Sequence, residues 1–143
     1  MFIKQISVFI ENKKGRLASL TDVLAKNGID LIALSMADTA DYGIMRAIVN
    51  DTDKAKEVLR AHNFAVTTTE VLAAEVPDRP GGLSEVLVSL QEQNISVEYL
   101  YSFVRSSNAK ALILFKVNNG AAAAECLTGK GIRLLSQAEV NEL

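Results

Sequence analysis

The chain has 143 residues, enough for one domain or for two small ones near the lower limit for an independent core. It is 49% hydrophobic and 22% charged, which excludes intrinsic disorder, and 15 basic against 17 acidic residues leave a net charge of −2, which argues against a nucleic-acid partner. One cysteine (Cys126) and one histidine (His62) exclude an internal disulfide and a multi-cysteine zinc site, and no apolar run reaches the roughly 18 residues of a membrane span.

Lys4 to Ile10 alternates, with Ile6, Val8 and Ile10 on one face, and predicts a strand. A lysine inside this opening run, and no small-residue cleavage pattern after it, argue against a signal peptide; a cytoplasmic protein without membrane contact is expected. Leu17, Leu20 and Leu24 fall at helical spacing, and Gly28 suits a left-handed cap that ends the helix. Strands Ile29 to Ala37 and Ile44 to Val49 follow across the polar stretch Asp38 to Gly43. Asp51-Thr52 offers a cap to a second helix with Ala55, Val58, Leu59 and His62 on one face, and Ala65 to Glu70 is a threonine-rich strand. The same order then returns: strand Val71 to Val76, a helix carrying Leu83, Val86, Leu87 and Leu90, and strands Ser96 to Val104 and Ala111 to Val117. Helix Ala121 to Leu127, closed by Gly129 and Gly131, and a strand from Ile132 to Leu135 complete it.

The return is an internal repeat. Gly15-Arg16-Leu17 recurs 66 residues on as Gly81-Gly82-Leu83, and the offset holds from Leu24 to Leu90, Ile29 to Ile95 and Leu34 to Leu100. Further along it is 68, matching Val49-Asn50 to Val117-Asn118 and Glu57-Val58-Leu59 to Glu125-Cys126-Leu127. The two extra residues are assigned to a hairpin tip, between Met36 and Ile44 or between Ser102 and Leu112. The fold class is therefore α+β: two ferredoxin-like βαββαβ units, residues 1–70 and 71–143, each a four-stranded antiparallel sheet with two helices on one face. No Pro, Gly or Ser spacer lies between Ala65 and Val76, so rigid docking of the units is expected. Both strand faces carry apolar residues, Tyr99, Tyr101 and Phe103 among them, which points to cover of the helix-free faces by the other unit or by a second chain.

The chemistry is expected in the loops between first strand and first helix, Asn12-Lys13-Lys14-Gly15-Arg16-Leu17 and Asp78-Arg79-Pro80-Gly81-Gly82-Leu83. In each, a short oxygen-bearing side chain stands three positions before a glycine that opens a helix. Glycine lets backbone approach a ligand, and the free amides of the first turn favour a carboxylate. Asn12 or Asp78 can accept from an ammonium group, so the loops suit the two ends of a free amino acid. The competing reading is an ordinary turn and cap.

These residues carry a resemblance. Tandem βαββαβ units with Asp78-x-Pro80-Gly81-x-Leu83 and Asn94-Ile95 resemble ACT domains, the regulatory modules of amino-acid metabolism, over nearly the whole chain. The first unit departs from the pattern, with Asn12 for Asp and Lys14 for Pro, while Gly15, Leu17 and Asn27-Gly28-Ile29 remain. The resemblance implies an amino acid held at interfaces between units, by the loop of one and the start of the second strand of its neighbour. Carried over by position, the ligand-binding residues are Asn12, Gly15, Arg16 and Leu17 with Ile29, Asp30 and Leu31, and Asp78, Gly81, Gly82 and Leu83 with Ile95, Ser96 and Val97.

The resulting expectation is a non-enzymatic, allosteric regulator that needs no cofactor or metal. Its expected partners are a free amino acid, a second copy in a homodimer, and a separate enzyme of amino-acid metabolism. Alternatives are a ligand-free oligomerisation or protein-interaction scaffold, an acylphosphatase-like hydrolase, for which Arg16 is a poor phosphate-loop arginine, and an RNA binder, for which exposed aromatics are too few. His62 reads as a basic group at a helix C-terminus, Cys126 as a core residue, and Tyr99 and Tyr101 as packing. Lys13, Lys14 and Arg16 form either a solvated cluster or a counter-charge to an acidic ligand.

Overall fold

The computed structural model describes residues 1–38, 41–104 and 110–143. Residues 4–69 form one compact unit, and residues 70–141 together with 1–3 form another. In chain order the elements are β1 (Ile3–Glu11), α1 (Arg16–Lys26), β2 (Leu31–Asp38), β3 (Tyr42–Val49), α2 (Thr52–Ala61) and β4 (Ala65–Pro77). They continue with α3 (Gly82–Glu92), β5 (Val97–Ser102), β6 (Lys110–Val117), α4 (Gly120–Gly129) and α5 (Gln137–Asn141). The strands of the first unit lie in the order β2, β3, β1, β4, and those of the second in the order β4, β6, β5. This is the mixed α+β, βαββαβ architecture expected from the sequence.

Each core follows from the two-residue pleat. Pairing of Ile6 with Ala47 and Val8 with Met45 puts Ile6, Val8, Ile10, Met45, Ala47 and Val49 on one face. There they meet Leu20, Val23 and Leu24 of α1, Ala55 and Leu59 of α2, and Phe64 and Val66. In the second unit Leu72 pairs with Phe115 and Ala74 with Ile113, which sets Leu72, Ala74, Val76, Ile113, Phe115 and Val117 against Val86 and Leu90 of α3 and Ala123 and Leu127 of α4. The opposite faces are apolar and buried too, at Ala33 and Ile48 in the first unit and Tyr101, Phe103, Leu112 and Leu114 in the second.

The repeat reappears in the hydrogen bonds. Met36 pairs with Met45 and Ser102 with Ile113, so the change of offset falls between the members of these matched pairs; residues 39–40 and 105–109, where the two extra residues were assigned, lie outside the described ones. Asp51 accepts from the Lys54 amide at 3.0 Å and Asn119 from the Ala122 amide at 3.1 Å, so α2 and α4 carry matching side-chain caps.

Three local readings differ from the structure. His62 does not lie on the apolar face: α2 ends at Ala61, and His62 is the exposed C-cap, its Nδ1 2.8 Å from the Val58 carbonyl. Cys126 is half-buried against the second core, with its Sγ donating to the Ser89 carbonyl at 3.4 Å. Ile132 to Leu135 forms a single bridge, Ala74 with Leu134, flanked by bonds from Glu75 to Arg133 and from Leu135 to Ala73, in place of a full strand.

The chain then turns into α5, which the sequence reading did not anticipate. Ser136 and Glu139 close a reciprocal capping box: the Ser136 amide and hydroxyl donate to Glu139 Oε2 at 2.7 and 2.9 Å, and the Glu139 amide donates to Ser136 Oγ at 3.3 Å. Bonds from the Ser136 backbone and side chain hold the Glu139 carboxyl below its ordinary value, with Arg133 adding to them. A lowered carboxyl pKa makes the cap's contribution present above the ordinary carboxylate value and lost as pH falls through the lowered one. Amide exchange at Val140, which is buried and bonds to the Ser136 carbonyl, should accelerate across that acid window. The Glu139→Gln variant should exchange faster at neutral pH and lose the acid dependence.

Candidate functional site

The two glycine loops share one backbone. Gly15 (φ 85°, ψ −6°) and Gly81 (φ 86°, ψ −10°) are left-handed and stand as N-caps of α1 and α3, a conformation that a side chain disfavours. Lys13 donates to the Glu11 carbonyl at 2.8 Å and Arg79 to the Pro77 carbonyl at 3.0 Å. Arg16 donates back to Lys13, as Gly82 does to Arg79, and Ser19 to Gly15, as Glu85 does to Gly81. Neither helix has a side-chain cap, in contrast to α2 and α4. The amides of Leu17 and Ala18, and of Leu83 and Ser84, therefore stand at the two helix mouths with the positive end of the dipole behind them.

The side chains around these matching backbones differ. In the first loop Lys13 Nζ lies 2.8 Å from Glu11 Oε2, and this contact holds the Glu11 carboxyl below its ordinary value. The Arg16 guanidinium lies 4.3 Å from the Phe64 ring centroid, with its buried Nε making no hydrogen bond. In the second loop Arg79 is clamped by both oxygens of Glu85 at 2.9 Å. The position of Arg16 is taken by Gly82, where a Cβ would stand 2.0 Å from the Pro77 carbonyl oxygen.

The structure places the predicted strand starts at the far end of each helix from its own loop. Eleven residues of α1 span about 16 Å, so Ile29, Asp30 and Leu31 do not meet Asn12, Gly15, Arg16 and Leu17 of the same unit. Ile95, Ser96 and Val97 stand likewise apart from Asp78, Gly81, Gly82 and Leu83. Ile29 and Ile95 are buried, and their amides donate to Leu24 and Leu90. The amides of Asp30 and Ser96 donate to the side chains of Asn50 and Asn118 at 2.9 and 3.0 Å. The two asparagines, matched by the repeat, thus fix the strand starts, a role their spacing alone did not reveal.

What the first loop does meet in its own unit is the far end of β2. Ile10, Glu11, Asn12, Lys13 and Leu17 line a cavity of about 130 Å³ with Met36, Asp38 and Gly43. Leu17, read as part of the helix's core stripe, is 43% exposed at this rim. Met36, Asp38 and Gly43 were not among the predicted site residues. The signal was available, because a strand, helix and parallel strand return the chain so that β2 ends at the same edge of the sheet as β1, with β3 between them.

Two βαββαβ units, each opening its first helix at a left-handed glycine with uncapped amides, define a tandem module suited to holding a small polar molecule. The chain belongs to the ACT domain pair family, whose model matches residues 1–143; ACT domains are regulatory, small-molecule-binding modules. A solved structure, protein BT0572 from Bacteroides thetaiotaomicron, is 40% identical over 100% of this chain and 98% of its own, with a TM-score of 0.93. The ligand-free regulatory subunit of aspartate kinase from Thermus thermophilus shares the fold at 16% identity, covering 88% of this chain and 91% of its own, with a TM-score of 0.62. The corresponding subunit from Thermus flavus does so at 12% identity, covering 88% and 90%, with a TM-score of 0.60. No curated protein matches the chain. Among the described residues, no helix is long and apolar enough to cross a membrane.

Proposed function

We propose that this protein is a non-enzymatic, cytoplasmic regulator that binds a free amino acid through its glycine loops. The supporting observation is the contrast in capping: α2 and α4 are closed by Asp51 and Asn119, whereas the mouths of α1 and α3 hold only the glycines and their uncommitted amides. A carboxylate supplies the acceptor that those amides lack. Asp78, or Asn12 more weakly, receives the ammonium group. Since the strand starts Ile29 to Leu31 and Ile95 to Val97 stand away from their own loops, a neighbouring ACT-like unit supplies that half of each site, and a homodimer is the assembly the reading calls for. Binding then favours one assembly by its differential affinity, and a separate enzyme of amino-acid metabolism reads the change.

A thermal-shift panel of the twenty amino acids tests this. A ligand at about 100 times its Kd adds about 2.7 kcal/mol, which corresponds to a rise of roughly 5–10 °C for a chain of this size. Gly15→Val and Gly81→Val should remove the rise while leaving the oligomeric state, measured by light scattering, unchanged. Flat curves for every amino acid at millimolar concentration overturn the proposal, and an assembly that forms without any ligand response favours a scaffold.

A further inference from the structure

The cavity of about 130 Å³ beside the first loop has its origin in a missing side chain. Residues paired across antiparallel strands share a sheet face, as do alternate residues along a strand. Val8, Met45 and Met36 make one such row on the face that α1 and α2 cover, Val8 pairing with Met45 and Met45 with Met36. The next row on that face is Ile10, Gly43 and Asp38. Gly43 leaves its centre empty. Ile10 and Leu17 wall the gap, and Met36 reaches across it, its Cε 3.1 Å from where a Gly43 Cβ would stand. Gly43 is not left-handed, so its backbone does not require glycine; what glycine provides here is space.

The second unit builds the same row and fills it. Val76 pairs with Ala111 as Ile10 does with Gly43, and Ser102 pairs with Ile113 as Met36 does with Met45. The methyl group of Ala111, packed against the second core, thus stands where the first unit has its gap, and a serine stands where it has Met36.

The gap is apolar, and the groups around its mouth are polar. Ile10 is buried, Leu17 and Met36 are 43% and 41% exposed, and Asn12, Lys13 and Asp38 stand in the open. An ionised side chain entering the gap would lose its hydration against Ile10, Leu17 and Met36. Two cations of the loop that would draw an acidic ligand are also engaged: Lys13 is held by Glu11 at 2.8 Å, and Arg16 lies over the Phe64 ring. A cavity of about 150 Å³ holds a benzene molecule, so this one suits a smaller, branched aliphatic group, with the main-chain ends of the ligand left at the polar mouth. With the glycine loops read as amino-acid sites, on which this inference rests, we propose that the first loop selects valine, leucine or isoleucine, and that Gly43 and Met36 together determine that choice.

Calorimetric titration of the full chain with valine, leucine, isoleucine, alanine, phenylalanine, aspartate and lysine tests this, with amide resonances reporting where each binds. At least one of the branched amino acids should bind roughly tenfold or more tighter than alanine, phenylalanine, aspartate and lysine, and should shift the amides of Leu17, Ala18 and Gly43. Gly43→Ala, which installs the second unit's residue, should weaken that binding roughly tenfold and narrow the margin over alanine. The variant should fold, because the atom nearest to the new methyl is the flexible tip of Met36. Met36→Ala opens the wall and should raise the affinity for phenylalanine relative to leucine roughly tenfold. Shifts at Leu17 and Ala18 with a preference for aspartate, lysine or phenylalanine, or a preference that neither variant alters, would overturn the selectivity and leave the loop reading standing. Shifts confined to Leu83 and Ser84 would overturn it as well. Binding of none of the twenty amino acids in the thermal panel overturns the loop reading itself, and this inference with it.

Discussion

The Gly82→Ala substitution should destabilise the ligand-free protein by about 3 kcal/mol or more, a fall of roughly 10 °C in melting temperature, although it adds only a methyl group at the start of a helix. The Cβ would stand 2.0 Å from the Pro77 carbonyl oxygen and 3.0 Å from its carbon. Both are backbone atoms, and that oxygen already accepts the Arg79 amide, so no side-chain rotation relieves the clash. Either the turn through Asp78 and Arg79 opens or the first turn of α3 lifts, and Val86 and Leu90 lose their seating in the core.

The neighbouring glycine is the control. Gly81 has nothing within 4 Å of a Cβ, so Gly81→Ala meets only the cost of a left-handed conformation, about 1–2 kcal/mol. Arg16, at the position of Gly82 in the first unit, shows that the helix start itself accepts a side chain where the preceding strand leaves room. Thermal or denaturant melts of the two variants decide the matter: equal losses at Gly81 and Gly82 would show that the Pro77 contact is relieved cheaply.

This pair also shows where sequence reading stops. The two glycines were visible as members of a repeat and were read as letting backbone approach a ligand, whereas the left-handed conformation in which Gly81 opens the helix was not among the expectations. That Gly82 needs to be glycine for lack of space does not follow, because the oxygen that excludes a side chain belongs to Pro77, five residues back, and reaches it only once the turn is folded. The same holds for Asn50 and Asn118, whose equivalence was legible while their contacts with Asp30 and Ser96, 20 and 22 residues away, were not. His62 was misplaced because a helical wheel continued one residue past the end of α2 turns the exposed cap inward. At the C-terminus the repeat itself misled, since a fourth strand was expected by analogy with the first unit. The capping box Ser136-Gln137-Ala138-Glu139 announced a helix in plain sequence.

The largest effect is expected in the second core. Phe115 is fully buried, and Phe115→Ala should cost about 3–5 kcal/mol, enough to broaden or abolish the calorimetric unfolding transition. The corresponding residue of the first unit is Ala47, also fully buried, and Ala47→Phe should destabilise by about 1–3 kcal/mol through overpacking. The same strand position thus carries a ring in one unit and a methyl in the other because each core finds its aromatic bulk elsewhere. In the first unit Phe64 supplies it, its amide bonded to Leu59; the equivalent residue of the second is Ile132, bonded to Leu127. Ile132 packs against the cluster that holds Phe115. The double variant Phe115→Ala/Ile132→Phe, which recreates the first unit's arrangement, should therefore recover part of the loss, with a coupling of about 0.5–3 kcal/mol. A loss below about 1 kcal/mol for Phe115→Ala, or a double variant worse than the sum of its parts, would mean that the two cores are not alternative packings of one backbone plan.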